Sequence, residues 1–247
     1  MGGWSAALAP LFIAYAGVED GERVLDIGCG TGNLLAALQA SFPRAELTGI
    51  DPSRALLGKA RGRSELEAVE LIEAGAETLP LPGERFDRVL SLLVLQEFPD
   101  PQAALSEMRR VVKPGGTIAG CQWDFNGMPV IAGVMASITA VDPAAGAAIT
   151  AGFPHRFDDE ADMIEAWNAA SLRDVAAGRI SVTRRFASFD ELWHPLLAGT
   201  TPSTLTLAAL SAQKQAAVRE ILHERFATDA DGGVTVTAEA LMVRGKR

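Results

Sequence analysis

The ten residues Val24-Leu25-Asp26-Ile27-Gly28-Cys29-Gly30-Thr31-Gly32-Asn33 hold the strongest chemical signal in the chain. An apolar run passes there into a helical pattern. Glycines at such a junction permit a tight turn and let backbone N–H groups approach a ligand that a Cβ would hold away. Asp26 places a carboxylate just before the turn. A second carboxylate, Asp51, ends the next apolar run 19 residues beyond Gly32, where a side chain accepts hydrogen bonds from ribose hydroxyls. Together the two features point to a nucleoside cofactor. The dinucleotide fingerprint needs glycines at its first, third and sixth positions; here they fall at 28, 30 and 32, and Asn33 takes the sixth. Asp26 also suits a cationic ligand better than a pyrophosphate.

These residues need strands and helices to position them. Apolar runs of strand length at 23–27, 46–50, 69–73, 86–95 and 117–123 alternate with helical patterns at 34–42, 53–61 and 101–112. Pro43 stops the first of those helices, and Asp100-Pro101 supplies an N-cap and a first-turn proline for the last. From Val89 to Leu95 the 86–95 run is apolar apart from Ser91, which points to a sheet covered on both faces. Strict alternation of this kind predicts an α/β fold: a Rossmann-like, doubly wound sheet of about seven strands, the last antiparallel, with an N-terminal helix over 1–20. Beyond 123 the pattern loosens. A weak helix is expected near 130–139, a helix capped by Asp158, a strand at 179–186, a capping box at Ser188 and Glu191, one long helix over 203–226 and a final strand at 234–243. Without repeats or linkers, 1–247 reads as a single domain with a helical lid at 187–231 inserted before the last strand.

Charge narrows the partners. The 247 residues carry 22 Lys and Arg against 31 Asp and Glu, a net charge of −9, which argues against nucleic acid and against an anionic membrane surface. The cysteines, Cys29 and Cys121, cannot build a disulfide framework or a Cys/His metal site, and they suit a reducing compartment. Trp4–Val18 is apolar but no basic residue precedes it, and Met128–Val141 is short for a bilayer span. A cytoplasmic protein without a membrane role is expected.

At the glycine turn the sequence resembles the class I S-adenosylmethionine-dependent methyltransferases, in particular the subgroup related to ubiquinone and menaquinone biosynthesis methyltransferases. The resemblance covers about residues 4–125. It implies that Asp26, Gly28, Cys29, Gly30 and Gly32 hold the methionine moiety of S-adenosylmethionine, and that Asp51 binds the ribose. Ala74-Gly75-Ala76-Glu77-Thr78-Leu79-Pro80 resembles the segment lining the adenine, through Ala76 and Glu77; Leu92 completes the implied cofactor set. The family usually has Asp where Gly75 stands, and its loss would weaken adenine binding by about 1 kcal/mol. Phe86-Asp87 and Pro114-Gly115-Gly116 match packing and turn landmarks, and Gln96 stands where relatives often carry histidine. Trp4 resembles an aromatic that closes over the cofactor, though core packing accounts for it equally. No (Asp/Asn)-Pro-Pro-aromatic motif follows the fourth strand, and no metal-binding carboxylate cluster is evident.

The function so implied is methyl transfer from S-adenosylmethionine to a small molecule, with no metal, by alignment and exclusion of water. Trp123, Trp193 and Gln96 are the expected substrate contacts, with Phe125 beside Trp123. A general base is needed only if the attacking atom must lose a proton. His155, His194, His223 and Glu97 are the candidates, and none is assigned a catalytic role. Two alternatives stay open: a domain that binds S-adenosylmethionine without transferring its methyl group, and an NAD-dependent oxidoreductase, which Asn33 disfavours. The acceptor and the oligomeric state are not fixed by the sequence.

Overall fold

Strand and helix alternate along the first half, save that no helix separates the third strand from the fourth. The computed structural model describes residues 2–124, 127–152, 156–199, 201–226 and 228–247. Helix α1 (Gly2–Ala16) precedes β1 (Arg23–Ile27), α2 (Asn33–Ser41), β2 (Glu46–Asp51), α3 (Arg54–Arg61), β3 (Glu70–Glu73), β4 (Phe86–Leu92), α4 (Pro101–Val111) and β5 (Val112–Trp123). There follow α5 (Pro129–Val141), α6 (Pro143–Ala151), α7 (Glu160–Ala169), β6 (Arg173–Phe186), α8 (Phe189–Trp193), α9 (Pro202–Ala209), α10 (Ala212–Arg225) and β7 (Val234–Lys246). The strands form one seven-stranded sheet in the order β3-β2-β1-β4-β5-β7-β6, with the last strand antiparallel. The order reverses direction beside β1, and that switch point is where open α/β sheets bind ligands.

Several boundaries differ from the sequence expectation. The N-terminal helix spans 2–16 rather than 1–20, because Gly17 turns left-handed at φ 65°. Strand β4 stops at Leu92, three residues early: Leu93 takes φ 65°, its N–H donates to the Cys121 carbonyl at 2.7 Å, and a 3-10 turn covers Leu95–Glu97. Asp159, not Asp158, caps α7, its Oδ1 accepting from the Asp162 N–H at 2.9 Å. The long helix over 203–226 is two helices, because Leu210 and Ser211 are extended and Ser211 caps α10. Helix α6 had no counterpart in the apolar pattern, which its alanine-rich sequence leaves unmarked.

The chain divides into two compact units, one of residues 1–122, 156–180 and 240–247, the other of 123–155 and 181–239. The first holds a core centred on Trp167, which is fully buried, meets Phe157 edge-on and donates its indole N–H to the Ile118 carbonyl at 3.3 Å. Gly120 makes room for it, since a Cβ there would lie 2.9 Å from the indole ring. In the second unit α5 and α10 cross at Gly133, where a Cβ would lie 2.8 Å from Leu222. No helix among the described residues is long and apolar enough to cross a membrane.

Candidate cofactor site

Parallel pairing sets Asp26 beside Gly49 of β2 and Leu90 of β4. The glycine loop starts two residues later, and its first two N–H groups, of Gly28 and Cys29, both donate to the Ile50 carbonyl, at 2.7 and 2.9 Å. The loop is thereby anchored to the end of β2. Gly28, Gly30 and Gly32 all have positive φ, at 72°, 55° and 80°, a backbone that side chains with a Cβ adopt only with strain. Their surroundings nonetheless differ. A Cβ at Gly28 would collide with Val94, and one at Gly32 with Leu66, whereas a Cβ at Gly30 would meet nothing within 4 Å. Two of the three glycines therefore serve protein packing, and only Gly30 borders open space.

Asp51 is 6% exposed and holds the loop from the far side. Its Oδ2 accepts from the Gly30 N–H and its Oδ1 from the Ser53 N–H, each at 2.8 Å. Each oxygen keeps a lone pair for a further donor. Asp26 is the opposite case: it is 1% exposed, and neither carboxylate oxygen has a hydrogen-bond partner among the described residues. Burial, and then the nearby Asp51 charge, raise its carboxyl well above the usual carboxylate range. A buried acid without a donor is costly, and such a group in a native structure demands an explanation. A cationic or hydrogen-bonding ligand supplies one.

The remaining expected residues sit around the same ends of the strands. Cys29 is buried, with its sulfur 2.9 Å from where a Cβ on Gly49 would stand. Burial first, then Asp26 and Asp51, push its thiol pKa upward, away from the reactive thiolate. Ala76 and Leu92 are buried. Glu77 is half-buried, with Oε1 shielded and unpartnered and Oε2 3.1 Å from a Cβ placed on Gly75. The carboxylate of Glu77 thus turns over the backbone position that lacks a side chain. Gln96, in the 3-10 turn, also has a shielded amide oxygen without a partner.

Comparison with known proteins agrees with this geometry. Residues 25–120 match the family model described as a methyltransferase domain. The ubiquinone/menaquinone biosynthesis C-methyltransferase UbiE of Syntrophotalea carbinolica is 33% identical over 172 residues, 66% of this chain and 68% of that one. The chain belongs to the class I S-adenosylmethionine-dependent methyltransferases. An uncharacterized Mycobacterium tuberculosis protein is 37% identical over 124 residues, and the match spans 49% of this chain but only 44% of that relative. Among solved structures, the YcgJ protein of Bacillus subtilis shares the fold at a TM-score of 0.59 and 20% identity, with 97% of each chain covered. The [4+2]-cyclase SpnF shares it at a TM-score of 0.60 and 20% identity, covering 98% of this chain and 80% of that one.

Membership in this methyltransferase family brings S-adenosylmethionine as cofactor, and the residues present fit it. The unpartnered Asp26 carboxylate, the open space at Gly30 and the spare lone pairs of Asp51 meet a molecule with a cationic amino-acid end and a ribose diol. Arg63 and Ser5, which the sequence did not single out, brace the glycine loop together with Asn33. Arg63 Nη1 donates to the Thr31 carbonyl and to Asn33 Oδ1, both at 3.0 Å, and Asn33 Nδ2 donates to Ser5 Oγ at 2.8 Å. No spacing rule links Arg63 to the loop 30 residues earlier. Trp4 is buried on α1, the helix that packs on α2.

The expected substrate contacts are divided between the units. Gln96 lies in the first unit, Trp123 and Trp193 in the second. Both tryptophans are buried, and Trp193 stacks on Phe189 at 6.4 Å between ring centroids. His194, His223 and Glu97 are exposed, and His223 meets Phe189 edge-on at 4.6 Å. Phe125 and His155 lie outside the described residues.

Proposed function

We propose that this protein transfers a methyl group from S-adenosylmethionine to a small-molecule acceptor by in-line displacement, through positioning and exclusion of water. When bound, the cofactor supplies a methyl group already activated as an electrophile by its sulfonium. The chain's own task is then alignment, which is worth several kcal/mol of barrier, about 7 or more in favourable cases. Asp26 holds the cationic amino-acid end, the backbone at Gly28–Gly32 follows it closely, and Asp51 accepts from the ribose hydroxyls. Ala76 and Glu77 line the adenine, and Leu92 adds an apolar wall. Gln96, Trp123 and Trp193 are assigned to the acceptor. The net charge of −9 favours a small acceptor over a nucleic acid.

The observation that carries this reading is the buried Asp26 carboxylate left without a donor beneath an open glycine loop. Calorimetry with S-adenosylmethionine tests it: saturable binding is expected for the wild type, weakened at least tenfold in Asp26→Asn and in Asp51→Ala. A flat wild-type isotherm, or tight binding of NAD instead, overturns it. A second reading, cofactor binding without methyl transfer, is favoured by the Gly75 departure and by SpnF, a protein of this fold named as a cyclase. Mass-spectrometric detection of a methylated product from a metabolite extract separates the two. Binding without product from any extract selects the second.

A further inference from the structure

A cavity of about 360 Å³ opens towards the end of the strands opposite the glycine loop. Its lining includes Arg88, Thr117, Asp174, Arg244 and Lys246, all from the first unit. Register fixes the location: Arg88 pairs with Val24 and with Thr117, two residues upstream of the Asp26–Leu90 pair. From the geometry we propose that this cavity binds a small oxyanion, a phosphate or a carboxylate, independently of the cofactor.

The lining residues hold donors without a partner among the described residues. The Arg88 guanidinium commits Nε to Glu22 at 2.9 Å and Nη1 to the Thr117 hydroxyl at 2.6 Å, leaving Nη2 uncommitted. Thr117, having accepted that bond, keeps its own hydrogen to donate. Arg244 donates Nη1 to the Tyr15 carbonyl at 2.8 Å and lies over the Tyr15 ring, 5.1 Å from its centroid, so Nε and Nη2 are uncommitted. The Lys246 ammonium stands 3.9 Å from Asp174, beyond hydrogen-bond range. The lining residues therefore carry two guanidinium edges, one ammonium and one hydroxyl against a single carboxylate. Glu22 offsets Arg88 and Asp174 offsets Lys246, but no carboxylate pairs with Arg244 among the described residues. A net positive cavity results, in a chain whose net charge is −9. Planar guanidinium edges match the oxygens of phosphate and carboxylate, and such charge-assisted bonds are the stronger kind. Asp174 holds φ 51°, a left-handed backbone uncommon for a non-glycine residue, at the rim of the same cavity.

The test is calorimetric titration of the full chain with inorganic phosphate and with tricarballylate, each against sodium chloride of equal ionic strength. Saturable binding of one or both at millimolar concentration is expected, with the preferred anion identifying the source chemistry. The double variant Arg244→Gln/Lys246→Gln, which alters two exposed side chains, should bind at least tenfold more weakly while keeping its thermal midpoint and its affinity for S-adenosylmethionine. Absence of saturable binding of either anion to the wild type overturns the proposal. Equal binding by wild type and double variant overturns it as well.

Discussion

Burial, and then the Asp51 charge, raise the Asp26 carboxyl well above the usual carboxylate range, so over a window of pH the ligand-free native state keeps a proton that the unfolded chain has released. In that window the native state binds more protons than the unfolded state, and stability falls as pH rises through it. Below the ordinary carboxylate pKa both states are protonated and the loss vanishes. Asp26→Asn removes the ionisation, so the ligand-free variant should be more stable than the wild type by about 1 kcal/mol or more above the window. The advantage should shrink to nothing near about pH 3. Urea unfolding across pH checks this, and an advantage independent of pH would assign the effect to packing. The contact proposed for Asp26 with the cationic end of the cofactor needs the ionised form, so wild-type affinity should follow the reverse course and fall in acid. The glycines divide in the same manner. Gly28→Ala combines left-handed strain with a collision against Val94, and should cost about 2–4 kcal/mol. Val94→Ala in the same chain should recover the collision but not the strain, a coupling of at least ~0.5 kcal/mol in a double-mutant cycle. Gly30→Ala meets no neighbour and should cost only about 1–2 kcal/mol of stability, yet reduce cofactor affinity by a larger margin.

Elements obey rules that the sequence exposes unevenly. Strands β1, β2 and β4 were legible because burial on both faces favours mostly apolar runs of strand length, and α4 because Asp100 and Pro101 begin it, Asp100 Oδ1 accepting from the Gln102 and Ala103 N–H groups at 3.1 Å. The glycine loop and Asp51 were legible because chemistry fixes their spacing. The end of β4 was not: Leu93 extends the apolar run in composition, while its left-handed backbone ends the strand in space. The break between α9 and α10 was likewise hidden, since Leu210-Ser211 interrupts the backbone without glycine or proline. The braces of the loop escaped for a further reason. Arg63, Leu66 and Val94 reach it through tertiary packing, and no local pattern encodes that approach. The crossing of α5 and α10 at Gly133 gives a prediction at this scale. Replacing a helical glycine gains about 1 kcal/mol of propensity, but a side chain at 133 must displace Leu222, 2.8 Å from the missing Cβ. Overpacking of this kind costs about 1–3 kcal/mol, so Gly133→Leu should be destabilising in urea unfolding. Leu222→Ala in the same chain should offset part of that loss.

At the scale of the whole molecule, every residue assigned to the cofactor, from Asp26 to Leu92, falls in the first compact unit. Ligand linkage therefore makes a spatially restricted prediction. A ligand present at about 100 times its Kd stabilises the state it binds by about 2.7 kcal/mol. In a chain of this size each kcal/mol raises the thermal midpoint by about 2–4 °C, giving a shift of roughly 5–10 °C for S-adenosylmethionine at that concentration. The shift belongs to the cooperative unit that contains the site. Hydrogen exchange should accordingly slow most at the loop and strand ends around 24–34, 49–54, 74–79 and 90–97, and slow more weakly across the Trp167 core, which unfolds with them. Asp51→Ala should abolish both effects: it removes the acceptor proposed for the ribose, and it also frees the Gly30 N–H that Asp51 holds at 2.8 Å. Asp26→Asn separates those contributions, because the Asp26 carboxylate has no hydrogen-bond partner among the described residues. Its loop should remain ordered in the absence of ligand, with exchange rates like those of the wild type, while the protection conferred by S-adenosylmethionine is lost. Loss of loop order in ligand-free Asp26→Asn would mean that the carboxylate supports the fold, and the ligand-binding role assigned to it would fail.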